Sequence, residues 1–394
     1  MDKKKVAVYG TKSRATDVIE GLNGSEFEVT YFIHNDASKI YDENNNGMVS
    51  DEITNYEEKV MGLDVISINE ISKYLDRIDI IAIPKLNNIE RWTIFQIRKQ
   101  HFPISKIYMV DNSKMAADNI SEWFVPYFDF GYIPYLEFHI EDKCNLNCKA
   151  CEHYAPLVKK SLQPDKKQFE RDLLQLKKYI FDIDKIRILG GEPLLNKDIE
   201  FYVRVSREVY PESEIRIATN GLLVKQMPDS LFETMKNYNV GFDISSYPPI
   251  ADKLDTIIDF VESKGVDVGA SPIVNNFYMR YSLEYNNQPE KEFELCFQSM
   301  CHNLYYGKIA SCFLPFMQHY FNDAFGENMP EEGYVDLYED GLTTRKLKER
   351  LYAPLKRCGY CGRAKKIDWK QAEKEPVLSD WVVDSNSCCG GIKG

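Results

Sequence analysis

The sequence predicts an α/β protein built in three successive regions, and three observations carry that reading. Short apolar, strand-like runs alternate with helix-period segments over residues 1–115 and again over 132–283. The stretch 284–394 then breaks that rhythm and becomes aromatic, turn-rich and rich in cysteine. Cysteine itself is absent before Cys144, although the chain holds 10 of them.

In the first region, Lys5 to Gly10 reads as a buried strand, Ala15 to Leu22 as a helix, and Val29–Ile33 and Ile78–Pro84 as further strands. Alternation of this kind predicts a parallel, doubly wound sheet. The turn Gly10-Thr-Lys-Ser-Arg-Ala15 lacks a three-glycine dinucleotide fingerprint, though a helix N-terminus there suits an anion. A docking role and a ligand-binding role both stay open for this region.

In the second region, Tyr135–Ile140 is a strand that ends at a cysteine trio. Pro164-Asp165 starts a helix carrying Phe169, Leu173, Leu176 and Ile180 at helical spacing. Strands follow at Ile186–Leu189, Ile215–Ala218, Val240–Ile244 and Val266–Ala270. The intervening helices run Lys197–Tyr210, Ser230–Tyr238 and from Leu254 to a stop at Gly265. Repeated βα units of this length predict a complete or partial barrel with its chemistry at the C-terminal strand ends.

A net charge of −12 argues against a nucleic-acid partner, since phosphate binding needs concentrated positive charge; the basic stretch Arg345–Lys366 reads as a solvated surface. Apolar runs such as Ile78–Pro84 are too short to span a bilayer, and the N-terminus does not read as a signal peptide. A cytoplasmic location is therefore expected, where many cysteines mean metal or redox chemistry more often than disulfides.

Cys144-x3-Cys148-x2-Cys151 follows directly on a strand. Three thiolates on one loop can bind three irons of a cubane and leave the fourth open; a zinc site completed by His153 is the alternative. Other strand ends carry Gly190-Gly191-Glu192-Pro193, Thr219-Asn220-Gly221 and Asp243-Ile-Ser245-Ser246-Tyr247-Pro248. Glycines let backbone approach a ligand, and a buried carboxylate accepts hydrogen bonds from an ammonium. His139 and Glu141 alternate on the first strand and share a face, turned either to a ligand or into the core; Asp243 is a further candidate contact.

At these residues the chain resembles the radical S-adenosylmethionine (SAM) superfamily. The resemblance implies a partial (β/α)6 TIM-type barrel over 132–283, with Cys144, Cys148 and Cys151 ligating a 4Fe–4S cluster whose open iron takes the methionine end of SAM. It implies that Gly190, Gly191 and Glu192 line the methionine amino group and that Asn220 and Ser245 approach the cofactor, Ser245 at the ribose. Ala150 stands where the family usually has an aromatic residue near adenine. The wording around Cys144–Pro156 and Ser245–Pro248 resembles bacterial members associated with surface-polysaccharide loci, and the first region resembles Rossmann-like domains of such pathways.

Cys296, or Cys301 in its place, with Cys312, Cys358 and Cys361 resembles the auxiliary-cluster modules called SPASM and Twitch. A β-hairpin turning at Gly307, with thiolates at both ends, would hold a second 4Fe–4S cluster with zinc as the alternative; Cys388 and Cys389 read as a loose tail or extra ligands. The resemblance implies SAM cleavage by a reductant such as flavodoxin or ferredoxin, and hydrogen abstraction from a small polar substrate: a sugar, nucleotide sugar or aminocyclitol. Oxidation of an alcohol is the leading expectation, followed by a sugar epimerase, a peptide-modifying maturase and a non-catalytic metal-bound scaffold.

Overall fold

The computed structural model describes residues 2–35, 58–85, 91–115, 119–160, 163–286, 288–362 and 365–383. Cys388 and Cys389 lie outside them. The chain divides into two compact units, one of Met1–Pro134 with Thr344–Lys346, the other of Tyr135–Thr343 with Leu347 onward.

The first unit contains β1 (Lys4–Tyr9), α1 (Ser13–Gly21), β2 (Phe27–His34), β3 (Lys59–Val60), β4 (Leu63–Ser67), β5 (Ile80–Pro84), α2 (Arg91–Lys99), β6 (Ile107–Val110) and β7 (Phe124–Pro126). The strand order is β3-β4-β2-β1-β5-β6-β7. Its central strands β4, β2, β1, β5 and β6 pair in parallel, and β3 and β7 pair antiparallel at the edges. Val6, Val8, Phe32 and Ile80 pack with Val18 of α1 and with Trp123, which gives the sheet its buried face. The predicted doubly wound arrangement is present, and the turn after β1 leads into α1 with no side-chain cap from Lys12.

The second unit begins with β8 (Tyr132–Glu141), whose first three residues fall in the first unit. It continues through α3 (Lys166–Lys177), β9 (Asp182–Gly190), α4 (Ile199–Val209), β10 (Glu214–Thr219), α5 (Asp229–Asn237), β11 (Val240–Ile244), α6 (Leu254–Ser263) and β12 (Val268–Ala270). β13 (Asn276–Met279), α7 (Pro289–Leu295), β14 (His302–Tyr305), β15 (Lys308–Ala310), α8 (Leu314–Phe325), β16 (Val335–Asp336), α9 (Thr344–Leu351, whose first three residues fall in the first unit) and β17 (Lys365–Asp368) follow.

The main sheet has the order β12-β11-β10-β9-β8-β14-β15-β16. β9 through β12 pair in parallel, and the C-terminal ends of β8 and β9 meet where Gly191 N donates to Glu141 O (2.7 Å). Each crossover carries one helix, as parallel pairing requires. α3 is started by the Asp165 carboxylate accepting from Gln168 N (2.9 Å), and it buries Phe169, Leu173 and Leu176.

Among the described residues, those beyond 284 form no sheet apart from this one, save where β17 pairs antiparallel with β13. Instead β14 joins the free side of β8 in parallel, with His302 opposite Leu136, and β15 and β16 extend it antiparallel. The predicted hairpin turn is Tyr306-Gly307, with both residues left-handed (φ 46° and 74°). The sixth parallel strand thus stands beside the first, and the middle and C-terminal regions share one compact unit.

β8 is buried along its whole length, as a central parallel strand must be. Leu136, Phe138 and Ile140 face the helices, Phe138 meeting Phe169 at 4.7 Å between ring centroids. The other face carries the polar set Glu137, His139 and Glu141. No helix among the described residues is long and apolar enough to cross a membrane.

Candidate functional site

The loop after β8 folds back on itself through three non-glycine residues in the left-handed region: Asn147 (φ 50°), Ala150 (φ 55°) and Tyr154 (φ 55°). Such conformations cost free energy and persist where their surroundings over-determine them. Here they gather the three thiols, which feel one another's charge and that of a common neighbour, the phenol of Tyr247.

Donors surround the sulfurs. Leu146 N points at Cys144 Sγ (3.4 Å), Asn220 Nδ2 at the same sulfur (3.6 Å) and Trp369 Nε1 at Cys148 Sγ (3.2 Å). Burial pushes all three thiols up, Cys151 to about 12, with neighbouring thiols adding to the shift at Cys148 and Cys151. Thiols held this close in a poorly solvated site ionise when a cationic centre compensates them, and N–H donors aimed at sulfur suit thiolates bound to iron. The donor set therefore fits a cubane, where each thiolate takes a different iron.

A single ion is a poorer fit, because its donors must converge on one point. His153, the proposed fourth zinc ligand, hydrogen-bonds the Gly190 backbone and packs between His139 (4.8 Å) and Phe313 (4.3 Å).

Glu192 is fully buried at the end of β9. Its carboxylate accepts from Leu194 N (3.1 Å), Thr219 Oγ1 (2.8 Å) and Asn220 N (2.9 Å), which ties the ends of β9 and β10 together. Burial outweighs these donors and pushes the carboxyl up to about 7. Asn220 in turn donates to Asn145 Oδ1 (2.7 Å) and so links the third strand end to the cysteine loop.

The two glycines before Glu192 have a structural role here. A Cβ on Gly190 would lie 2.0 Å from Glu141 O, and one on Gly191 would lie 2.4 Å from Lys143 O. The chain leading into the cysteine loop occupies that space, and Glu192 N donates to Lys143 O (2.8 Å). Ser245 is half-buried, its N donating to Thr219 O (2.8 Å) and its side chain hydrogen-bonding Tyr247.

The other candidate contacts are engaged internally. Glu141 accepts from Lys143 N (2.9 Å) and Gln163 Nε2 (2.5 Å). Asp243 accepts from Arg187 Nη2 (2.6 Å), with Lys185 Nζ at 3.3 Å; burial alone would raise its pKa, but these cations bring it below the usual value. His139 is fully buried and held neutral by that burial, beside Asp142 Oδ1 (3.9 Å). Asp142 accepts from Tyr320 Oη (2.6 Å) and Tyr305 Oη (3.2 Å), and burial pushes it up to about 6.

The structure also groups Cys296, Cys312, Cys358 and Cys361, whose thiols influence one another. Burial raises all four, Cys358 to about 11 and Cys361 to about 12. Two guanidiniums oppose the shift, Arg280 beside Cys296 and Arg357 beside Cys361. Arg280 pairs with Glu152 (3.4 Å), while buried Arg357 donates to Gln318 Oε1 (2.9 Å) and lies over the Tyr281 ring (4.7 Å). Cys301 is buried immediately before β14.

The sequence reading missed the strap over the cysteine loop. Lys149 N donates to Lys370 O (2.8 Å), Ala372 N to Asn147 O (2.7 Å) and Gln371 Nε2 to Leu146 O (3.1 Å). Further on, Trp381 Nε1 donates to Cys151 O (2.9 Å), and Lys149 pairs with buried Asp380 (2.6 Å). The only local signal was a tryptophan in an otherwise charged stretch.

A parallel α/β sheet whose C-terminal ends carry three gathered thiols, a buried carboxylate and short polar turns defines a class of cluster-dependent enzyme folds. Residues 140–257 match the family model described as the radical SAM superfamily, so this stretch is a radical SAM domain. That superfamily uses a 4Fe–4S cluster and SAM.

GTP 3′,8-cyclase of Clostridium acetobutylicum is 33% identical over 114 residues, covering 28% of this chain and 35% of that protein. The chain therefore spans about a third of the length of the curated relatives it matches. Among solved structures, Streptococcus suis SuiB bound to SAM is 20% identical over 36% of this chain and 34% of its own (TM-score 0.30). BtrN in complex with AdoMet and 2-DOIA is 16% identical over 64% of this chain and 98% of its own (TM-score 0.36).

Proposed function

We propose that this chain is a radical SAM enzyme acting on a small polar substrate, with Cys144, Cys148 and Cys151 as ligands of the SAM-binding cluster. The observation that carries the reading is the meeting of three thiols, one buried and two half-buried, N–H donors to sulfur and the buried Glu192 at adjoining C-terminal strand ends. When bound, the cluster and SAM supply the one-electron chemistry: reductive cleavage of SAM and removal of a hydrogen atom from the substrate.

The chain's own residues hold and shield that chemistry. Three of the carboxylate positions on Glu192 are taken by Leu194 N, Thr219 and Asn220 N, which leaves Oε2 able to accept one more bond from an ammonium. Asn220 aligns the Cys144 side of the loop. Ser245 and Tyr247 line the same region from β11. Cys296, Cys312, Cys358 and Cys361 are proposed to hold a second 4Fe–4S cluster, with Arg280 and Arg357 offsetting the thiolate charge.

For the reaction, we favour oxidation of an alcohol on a sugar, nucleotide sugar or aminocyclitol. Epimerisation is the second reading, with the remaining buried thiol, Cys301, returning hydrogen to the other face. Replacing Cys144, Cys148 and Cys151 together by Ala should remove one cluster's iron and end release of methionine and 5′-deoxyadenosine from SAM. Undiminished release in that variant would sink the proposal. Deuterium transfer from candidate sugars into 5′-deoxyadenosine identifies the substrate, and a product isomeric with it would mark the epimerase.

A further inference from the structure

Trp369 belongs to the C-terminal strap, yet its indole N–H ends 3.2 Å from Cys148 Sγ. Its placement is fixed from several sides. Trp369 N donates to Asn275 O (2.8 Å), and residues 370–372 pair with the cysteine loop through Lys370 O and Ala372 N. The indole stacks on Tyr247, centroids 6.3 Å apart at 26°. Tyr247 is itself half-buried, with Phe277 of β13 against its edge (5.8 Å). An indole nitrogen donates only, so the sulfur is the acceptor.

We infer that Trp369 tunes the redox poise of the SAM-binding cluster by donating its N–H to the Cys148 thiolate. The inference rests on the cluster assignment proposed above. One-electron reduction adds negative charge that spreads onto the cluster's sulfurs. A fixed donor at one sulfur stabilises the reduced form more than the oxidised form and so raises the potential. The half-buried Tyr247, braced by Phe277, holds the indole in place. The donor arrives from a segment 221 residues away, so the poise of the cluster depends on docking of the strap.

The test is a redox titration of anaerobically reconstituted holoprotein, following the electron-resonance signal that SAM perturbs. Trp369→Phe keeps a ring to stack on Tyr247 and removes the N–H. The ratio of reduced to oxidised cluster at a given applied potential should fall about tenfold, a shift of about 60 mV to more negative values. The signal of the cluster proposed at Cys296, Cys312, Cys358 and Cys361, which SAM should not perturb, should keep its potential. Because that variant can lose the cluster, a second measurement uses the unaltered chain grown with 15N-indole tryptophan. The reduced, SAM-sensitive cluster should then show hyperfine coupling to one 15N nucleus. An unshifted potential in Trp369→Phe, or no 15N coupling in the labelled protein, overturns the inference while leaving the cluster assignment standing. A holoprotein with no SAM-sensitive signal overturns both.

Discussion

Replacing Glu192 with glutamine separates two effects that compete at its carboxylate. Burial disfavours the charged form, while donors at Leu194 N, Thr219 and Asn220 N favour it; the balance leaves the group near 7 against an ordinary 4.5. A carboxyl raised on folding binds its proton more tightly in the native state. Its contribution is therefore fully present below about pH 4.5 and is lost as pH rises through about 7. The linkage relation puts the native state down by about 1.4 kcal/mol at about pH 5.5 and about 3.4 kcal/mol at about pH 8, a fall of about 2 kcal/mol. Glutamine resembles the protonated form in shape and hydrogen bonding and does not titrate. Urea unfolding of the reconstituted protein at those two pH values should show wild type losing about 2 kcal/mol more than Glu192→Gln. If the two lose the same amount, the donors offset burial in full, and Glu192 is an ordinary ionised carboxylate.

A related expectation concerns SAM itself: an ammonium at Glu192 Oε2 favours the ionised form, so binding near pH 7 should release about half a proton. Calorimetry in buffers of different ionisation enthalpy reads this, and a buffer-independent enthalpy would remove Glu192 from the SAM contact. Gly191→Ala would drive a Cβ into Lys143 O and Asp142 O, at 2.4 and 2.5 Å, so a loss of about 3 kcal/mol or more, or of soluble protein, is expected. Unchanged unfolding would show that the strand end has slack. Asp243→Asn leaves the Arg187 guanidinium, whose side chain is about a quarter exposed, without its main counter-charge; a cost of about 2 kcal/mol is expected after that exposure is discounted. A variant as stable as wild type in urea would mean Lys185, Arg187 and Arg216 are solvated without Asp243.

The radical SAM core was readable because its signals are local. Apolar runs of strand length, a start signal at Asp165 and polar residues clustered at strand ends all act within a few residues. Boundaries from β8 to β12 fell within a few residues of expectation for that reason. The roles of Gly190 and Gly191 were less readable: glycine announces a close approach, but not whether a ligand or the chain itself is the neighbour. Asp243 looked available because its cations, Lys185 and Arg187 on β9 and Arg216 on β10, meet it only once strand register is set. β14 could not be assigned beside β8 by periodicity, since that pairing joins residues more than 160 apart. Trp369 shows the same limit, for nothing in its flanking sequence specifies a sulfur.

The separation between the cysteine loop and its strap also sets an order in time. Cys148 is synthesised 221 residues before Trp369, and Cys151 230 residues before Trp381. At ordinary elongation rates that gap lasts on the order of 10–45 s. Throughout it the thiols stand on a nascent chain whose βα units can already pair, while the segment that latches over them is still unmade. A cluster delivered in that interval would enter an uncovered loop and be sealed in afterwards; one delivered later would need the latch to lift. Delivery of the proposed cluster during synthesis would thus compete with the making of residues 369–381.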